Sequence, residues 1–271
     1  MAGHYDELDP FYRELWGEHL HHGLWRSGRE APEAAALNLV DHVAEAAGLE
    51  GGEAVCDLGC GYGAPAAVLQ ERYGVDVTGV TVSRAQHSVA VGRAEGAEEL
   101  RFHLRDWSDN GFPSESFDVV VAIESTEHLD DRVGAFEEVH RVLRPGGRFV
   151  LCTWMAGPDL RSWEVRTLLR PICREGRLTG LASLDETTSW IRGAGLELVS
   201  ARDLTDRVRR TWSVCLRRTA VRLFRRPVSS WSYLLDAGRR HRAFAVCVAR
   251  IWGAYRTGAL RYGCLVSTRP A

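Results

Sequence analysis

The stretch VCDLGCGYG, residues 55–63, decides the fold of this chain. A short apolar run ends at Asp57, and glycines then alternate at Gly59, Gly61 and Gly63 before an alanine-rich segment. This pattern is typical of a buried strand that turns sharply into a helix, because glycine tolerates the tight turn and removes side chains that would block a ligand. The stretch predicts a turn whose backbone approaches a nucleotide-like ligand.

The rest of the chain alternates between short apolar runs and helical patterns. Such alternation predicts a parallel sheet covered on both faces. We therefore predict an α/β fold with a doubly wound, mostly parallel seven-stranded sheet, an N-terminal helical cap and a helical lid insertion. The predicted strands are residues 54–58, 75–82, 100–104, 117–123, 148–153, 196–204 and 259–268. The predicted helices are residues 31–48, 64–73, 84–94, 133–143, 163–172 and 184–194, with a long helical region at 206–258.

The composition excludes several classes of partner. A net charge of −2 gives no overall attraction to nucleic acid. No apolar run approaches the roughly 18 residues of a spanning helix, which argues against stable membrane insertion. The polar, aromatic start of the chain is unlike a secretory signal, so we expect a cytoplasmic protein. The seven cysteines form no CxxC pair, so we expect reduced thiols and no metal site.

Polar side chains follow each of the first four predicted strands. Ligands in doubly wound sheets bind outside the carboxyl ends of the strands, so these residues should face one crevice. This coincidence is more specific than the glycines alone. The residues concerned are Asp57, Thr81, Gln86, Asp106, Trp107, Glu124, Glu127 and His128.

Three motifs resemble those of class I S-adenosylmethionine-dependent methyltransferases. They are DLGCGYG (57–63), SFDVVVAIESTEHLDD (116–131) and RVLRPGGRFVLC (141–152). The segments FYRELWGEHLHHGLW (11–25) and YRTGALRYGCLVSTRP (255–270) resemble the γ-tocopherol methyltransferase-like branch. The segment TGVTVSRAQ (78–86) is shared by that branch and by the cyclopropane-fatty-acid-synthase and sterol C-methyltransferase types. The resemblance implies a Rossmann-like methyltransferase fold with S-adenosyl-L-methionine as cofactor.

The same resemblance divides the chain, which is long enough for a single domain with one core. It implies a helical cap at residues 1–48 and a cofactor-binding core at 49–155. Residues 156–258 would then supply substrate-side helices and a lid with the sixth strand, and residues 259–271 the last strand.

The resemblance also implies which residues hold the cofactor. The backbone at Gly59, Gly61 and Gly63 would lie against its methionyl part, and Asp57 would orient that turn and accept hydrogen bonds from the amino group or its waters. Thr81 stands where most relatives of this fold carry an acid for the ribose, which weakens a NAD interpretation. Neutral hydrogen bonds would come from Thr81 and Gln86, and adenine contacts from Asp106 and Trp107. Ordinary packing is the alternative for Trp107.

Catalysis is assigned to residues after the fourth strand. Methyl transfer is an in-line displacement that mainly needs alignment, with a base only where the acceptor loses a proton. Glu124, Glu127 and His128 are the predicted catalytic residues, together with Tyr12 from the N-terminus. The alternative is that Glu124 binds the polar end of the cofactor and His128 holds its loop.

The N-terminal aromatic and histidine residues predict a cap over cofactor and acceptor, with metal binding as the less favoured alternative. The expected substrate contacts are Trp16, His19, His22 and Trp154. The arginine-rich stretch 202–226 is either a solvated helix face or a site for an anionic substrate group.

The predicted function is methyl transfer from S-adenosylmethionine to a hydrophobic aromatic, prenyl or terpenoid molecule in bacterial natural-product biosynthesis. Carbon methylation is slightly favoured over N- or O-methylation. The alternatives are a NAD-binding oxidoreductase and a binding module that has lost transfer. No nucleic acid is expected as a partner, and a homo-oligomer is possible.

Overall fold

The computed structural model describes residues 19–225 and 238–271. Its strands are β1 (Ala54–Leu58), β2 (Asp76–Thr81), β3 (Leu100–Leu104), β4 (Phe117–Ile123), β5 (Leu143–Ala156), β6 (Glu197–Asp203) and β7 (Leu260–Thr268). They form one seven-stranded sheet in the order β3-β2-β1-β4-β5-β7-β6. The pairings are parallel except the two made by β7, which runs antiparallel to β5 and β6. The predicted α/β class and the mostly parallel sheet are confirmed.

Ten α-helices connect or flank these strands in the described part of the chain. They are α1 (Pro32–Ala47), α2 (Ala64–Tyr73), α3 (Arg84–Arg93), α4 (Arg132–Val142), α5 (Ser162–Glu164), α6 (Arg170–Gly176), α7 (Leu184–Gly193), α8 (Thr205–Val208), α9 (Arg210–Arg225) and α10 (Gly238–Thr257). A π-helical turn, Val165–Leu169, joins α5 to α6. Tyr12 and Trp16, with the first part of the predicted cap, lie outside the described residues.

Strand β4 is apolar from Val119 to Ile123 because both of its faces are buried there. Val119 and Val121 pack into the hydrophobic cluster that includes α1, whereas Val120 and Ala122 pack into the cluster that includes α4. All four are fully buried. A strand covered on two faces has no side that can be polar, which explains the continuous apolar run in the sequence.

Strand β5 differs from the prediction at its start. The sequence predicts a helix ending at residue 143, a turn at 144–147 and a strand from 148. The structure begins the strand at Leu143, which pairs with Phe117, and the next pair joins Arg148 to Val119. The residues between them bulge out of the ladder, with Gly146 at φ +77°. The turn is therefore an interruption within one strand.

The strand order places a crevice at the carboxyl ends of β1 and β4. These neighbouring strands connect to helices that lead in opposite directions along the sheet, so the loops after them diverge. The glycine turn follows β1, and the loop containing Glu124 follows β4. Residues 19–30, here called the N-terminal segment, contact this same edge through His22 and Glu124. These elements form the candidate active site.

Candidate active site

The glycine turn leaves β1 with its backbone held by β2. The amides of Gly59 and Cys60 both donate to the carbonyl of Val80, at 3.0 Å each. Gly59 has φ +81°, and a Cβ there would collide with the side chain of Ser125. Gly61 has φ +54°, but a Cβ there would meet nothing within 4 Å. Gly59 is thus needed for packing against the loop after β4, whereas Gly61 leaves space open beside the backbone.

Asp57 lies near the end of β1 and is 2% exposed. Its Oδ2 atom is buried and has no hydrogen-bond partner within the described residues. Burial raises the pKa of the Asp57 carboxyl to about 7, because the charged form is deprived of water. A carboxylate in this condition is stabilised by a ligand that brings a cation or a hydrogen-bond donor to Oδ2.

The end of β2 presents a small neutral network. The hydroxyl of Thr81 donates to the side-chain oxygen of Gln86 at 3.1 Å, and Ser83 Oγ accepts from the Gln86 amide as the N-cap of α3. All three side chains are buried. The structure therefore brings Thr81 and Gln86 together at the same edge as the glycine turn, without a carboxylate between them.

Asp106 and Trp107 follow β3 and have different environments. Asp106 is exposed, and its Oδ1 accepts from the amide and hydroxyl of Ser108, at 2.9 and 2.7 Å. Trp107 is 3% exposed, and its indole N–H donates to the carbonyl of Ala135 on α4. The Trp107 ring belongs to the core beside α4, so ordinary packing accounts for it. If Trp107 contacts a ligand, it does so through its backbone.

Glu124, directly after β4, is the most heavily bonded carboxylate in the described residues. It accepts from the amide and Nδ1 of His22, from the indole N–H of Trp154 and from the hydroxyl of Tyr262, at 2.7–3.0 Å. Its backbone is in the left-handed region, at φ +53°. Burial opposes ionisation, but the interactions of Glu124 with His22 outweigh it and lower the pKa of Glu124 to about 2.

His22 is held in one tautomer by its neighbours. The indole of Trp212 can only donate, and it donates to Nε2 of His22 at 2.7 Å. Nε2 therefore carries no proton, and Nδ1–H is the group that donates to Glu124. The hydroxyl of Tyr255 lies 3.0 Å from the same Nε2. The imidazole is 1% exposed and sits among the rings of four aromatic residues. These are Trp154, Trp212, Tyr255 and Tyr262.

Glu127 and His128 lie on a short 3₁₀ turn after Glu124. Oε1 of Glu127 accepts from the hydroxyl of Thr153 and the amide of Trp154, at 2.8 and 2.6 Å. Its Oε2 is buried and has no hydrogen-bond partner within the described residues. Burial raises the pKa of Glu127 to about 7 despite these bonds. His128 is partly exposed, and its Nδ1 lies 3.4 Å from the carbonyl of Arg177.

The remaining predicted substrate contacts lie close to this network. Nδ1 of His21 donates to the carbonyl of His22, and Nδ1 of His19 lies 3.2 Å from Nε2 of His21. Burial lowers the pKa of His19 to about 3, so this ring is neutral. Trp154 is partly exposed and bonds both Glu124 and Glu127. No group of three or more His, Cys, Asp or Glu side chains in the described ranges has an arrangement that would hold a metal ion.

Comparison with known proteins identifies the family. A family described as a methyltransferase domain matches residues 56–151, from β1 into β5. The chain is 36% identical over 217 residues to 27-O-demethylrifamycin SV methyltransferase of Amycolatopsis mediterranei, covering 77% of this chain and 78% of that protein. The chain belongs to the class I S-adenosylmethionine-dependent methyltransferases. Family membership overturns the oxidoreductase alternative.

Two further comparisons extend over the whole length of this methyltransferase. It is 27% identical to the chloroplastic tocopherol O-methyltransferase of Arabidopsis thaliana, covering 100% of this chain and 82% of that protein. The structure of mycolic acid cyclopropane synthase CmaA1 complexed with SAH and CTAB superposes with a TM-score of 0.85 at 20% identity, covering 98% and 96% of the two chains. This last likeness concerns the fold alone.

The residues at the crevice fit S-adenosylmethionine. The unpartnered Oδ2 of Asp57 suits a cationic amino group, and the open space beside Gly61 suits a ligand that lies against the backbone. The neutral pair of Thr81 and Gln86 suits ribose hydroxyls. When bound, this cofactor supplies an electrophilic methyl group on a sulfonium.

We expect Asp57→Asn to stabilise the ligand-free methyltransferase at alkaline pH. The folded-state pKa of Asp57 is raised, so its stabilising contribution is present below the unfolded value and is lost as the pH rises through about 7. Asparagine mimics the neutral carboxyl and escapes this loss. Thermal unfolding without cofactor should give a higher Tm for the variant at pH 8, with little difference at pH 4. An equal difference at both values would contradict the raised pKa.

Three of the four aromatic residues around His22 were not among the predicted site residues. Tyr255 and Tyr262 come from α10 and β7, and Trp212 comes from α9. The terminal segment 255–270 indicated the last strand and a family resemblance, but no site residue. Its two tyrosines, seven residues apart next to an apolar strand, were the available signal. The predicted catalytic residue Tyr12 and substrate contact Trp16 lie outside the described residues.

Within the described residues no helix is both long enough and apolar enough to cross a membrane. The seven cysteines are free, and all but Cys173 are buried.

Proposed function

We propose that this methyltransferase methylates a hydroxyl group of a hydrophobic small molecule in natural-product biosynthesis. The observation that carries the proposal is the 36% identity to a rifamycin-modifying enzyme whose name specifies an oxygen. The tocopherol relative is likewise named an O-methyltransferase. We therefore propose an oxygen acceptor, although the sequence slightly favours a carbon acceptor. Aromatic, prenyl and terpenoid alcohols all remain within the proposed class.

An oxygen acceptor needs a group that takes its proton, and Glu127 is the residue we propose for this role. A hydroxyl becomes a much better nucleophile as its proton leaves. The pKa of Glu127 is raised to about 7, which is close to the value that suits a base at neutral pH. Its Oε2 is buried but has no hydrogen-bond partner within the described residues, because both hydrogen bonds go to Oε1, so its lone pairs can accept the acceptor's proton. His128, on the same turn, is the second candidate for the base.

The cofactor would be held along the crevice by residues that the sequence already indicated. Asp57, Gly59 and Gly61 would contact the methionyl part. Thr81 and Gln86 would serve the ribose, and the carboxylate of Asp106 and the backbone of Trp107 the adenine. We further propose that residues 1–48 cap the site and that residues 156–258 form its substrate-side lid, as parts of one domain.

The acceptor class can be tested with S-adenosylmethionine that carries a ¹³C-labelled methyl group. The purified protein is incubated with matched acceptors that present a phenol, an aliphatic alcohol, an amine or a nucleophilic prenyl double bond. We expect the label to appear as a methoxy carbon in NMR spectra and as one added methyl in mass spectra. A label bonded to carbon or nitrogen would contradict the oxygen proposal. Reactions without acceptor control for hydrolysis of the cofactor.

A further inference from the structure

The N-terminal segment is bound tightly to the edge that carries the site. The amide of Gly23 donates to the hydroxyl of Thr211 at 3.1 Å, and the amide of Trp25 donates to the carbonyl of Arg207 at 2.9 Å. A Cβ at Gly23 would meet Ala35 at 2.7 Å and the ring of Trp25 at 2.9 Å. Residues 21–25 are all buried. The segment is therefore packed against α1, α8 and α9 with little room to spare.

Glu124 is where this segment meets the sheet. Its carboxylate binds both the backbone and the side chain of His22, and two further donors, Trp154 and Tyr262, come from β5 and β7. Hydrogen bonds to a charged group are worth more than neutral ones, and these are largely shielded from water. The left-handed backbone at Glu124 is a conformation that non-glycine residues rarely adopt, and the hydrogen bonds of its side chain offset that cost.

His22 has no free lone pair for proton transfer. Its Nδ1–H is directed to Glu124, and its Nε2 already accepts from the indole of Trp212. The Tyr255 hydroxyl lies within hydrogen-bond distance of the same Nε2. A base must reach the proton it removes, and this ring is enclosed on both sides. The four aromatic rings around it leave it 1% exposed.

We propose that Glu124 and His22 are positioning residues that anchor the N-terminal segment over the acceptor site, and that neither removes the acceptor's proton. This inference rests on the proposed function, because that proposal defines where the acceptor binds. It reassigns Glu124, which the sequence suggested as a catalytic group. Its carboxylate is filled by protein donors, so it binds the protein's own cap instead of substrate.

The residue that follows Glu124, Ser125, contacts the glycine turn. Ser125 Oγ donates to the carbonyl of Leu58 at 2.5 Å, and the side chain of Ser125 occupies the space that a Cβ at Gly59 would need. A shift of the loop at Glu124 must therefore disturb the glycine turn. Because coupling between two sites is reciprocal, cofactor binding should in turn tighten the N-terminal segment.

Two substitutions at His22 separate the anchor from its other contacts. Asparagine can place its amide N–H near the position of Nδ1, and glutamine can place an amide oxygen near that of Nε2. We expect His22→Asn to keep the bond to Glu124 and most of the function. We expect His22→Gln to lose the bond from Nδ1 to Glu124. We expect Glu124→Gln to lose the negative charge and to replace one accepting oxygen by an NH2 group, which cannot accept from the donors around it. For these two, the KM for the acceptor should rise by about tenfold or more, since one charge-assisted hydrogen bond is lost. The kcat should keep its dependence on pH.

Trypsin gives a readout that does not require the acceptor. Arg26 and Arg29 are exposed in the N-terminal segment, and cleavage there should be faster in His22→Gln and Glu124→Gln than in wild type or His22→Asn. S-adenosylhomocysteine should slow this cleavage in the wild type. Glu45→Gln is the matched control, because Glu45 contacts the segment only through an exposed ion pair with Arg26 and its loss should change little.

The outcomes separate the inference from the proposed function. If the wild-type protein methylates no hydroxyl group, the proposed acceptor class is wrong. The rates of trypsin cleavage of the variants still show whether Glu124 and His22 anchor the N-terminal segment. Unchanged trypsin rates in both glutamine variants would overturn the anchor. A flattened pH profile in His22→Asn, at unchanged KM, would make His22 a proton-transfer group and also overturn it. Tyr262→Phe removes one hydroxyl from Glu124 and should give a milder loosening if larger changes prevent folding.

Discussion

Gly61→Ala is expected to weaken the affinity for S-adenosylhomocysteine by about a hundredfold, which corresponds to about 2.7 kcal/mol. The new methyl group would project into the space beside the glycine turn, where the protein itself places nothing within 4 Å. That space is where the cofactor is proposed to lie against the backbone. Isothermal titration calorimetry measures the affinity directly, without any acceptor.

The matched control for this variant is Gly74→Ala. Gly74 caps the end of α2 at φ +63°, close to the +54° of Gly61, and a Cβ there also meets nothing within 4 Å. Both variants carry the same left-handed strain, about 1 kcal/mol, so their thermal stabilities should fall alike. Only Gly61→Ala should lose affinity. Equal affinities in the two variants would place the cofactor elsewhere.

The elements of the fold were predictable because their signals are local. Apolar runs, helix stops and glycines at fixed spacing each act within a few residues, and β4 could be recognised as doubly buried from its composition alone. The predicted start of β5 was wrong, although the local signal for a turn at residues 144–147 was correct. Pro145 and the glycines do form a turn, but pairing of Leu143 with Phe117 on β4 keeps the turn inside one strand.

The carboxylate network was not predictable for the opposite reason. His22 and Glu124 are 102 residues apart, and Glu124 and Tyr262 are 138 apart. The sequence placed Glu124 at the correct edge but could not show that three other elements fill its carboxylate. Trp107 was ambiguous in the same way, because an aromatic ring after a strand can face a ligand or the core. The core beside α4 holds it.

The two glutamates after β4 have the same charge in sequence and different chemistry in the structure. Glu124 is surrounded by donors, and its pKa is lowered to about 2, so it is ionised throughout the physiological range. Glu127 is buried with one oxygen unpartnered, and its pKa is raised to about 7. Environment therefore divides a structural anion from a group that can exchange a proton.

Glu127→Gln is expected to lower kcat with a hydroxyl acceptor by about a hundredfold or more, the usual contribution of a positioned base. Glutamine retains an oxygen for the hydrogen bonds of Thr153 and Trp154 but cannot take a proton. In wild type the base must be ionised, so the rate should rise with pH and level off above about 7. The variant should lose this rise with pH. Its affinity for S-adenosylhomocysteine should stay within about twofold of wild type, because a substitution that does not touch the ligand typically changes the free energy by less than about 0.5 kcal/mol.

Two further variants decide what such a result means. Glu164→Gln alters another buried carboxylate, which accepts from the amide of Arg161, and it should leave the pH profile unchanged. His128→Ala tests the second candidate on the same turn. If His128→Ala removes the rise of the rate with pH and Glu127→Gln does not, the acceptor's proton passes to the imidazole of His128. Glu127 then only fixes the turn through its hydrogen bonds to β5. If both variants retain the rise, the base lies outside this turn. An acceptor hydroxyl acidic enough to ionise unaided would show neither effect, so an aliphatic alcohol is the more stringent acceptor for the comparison.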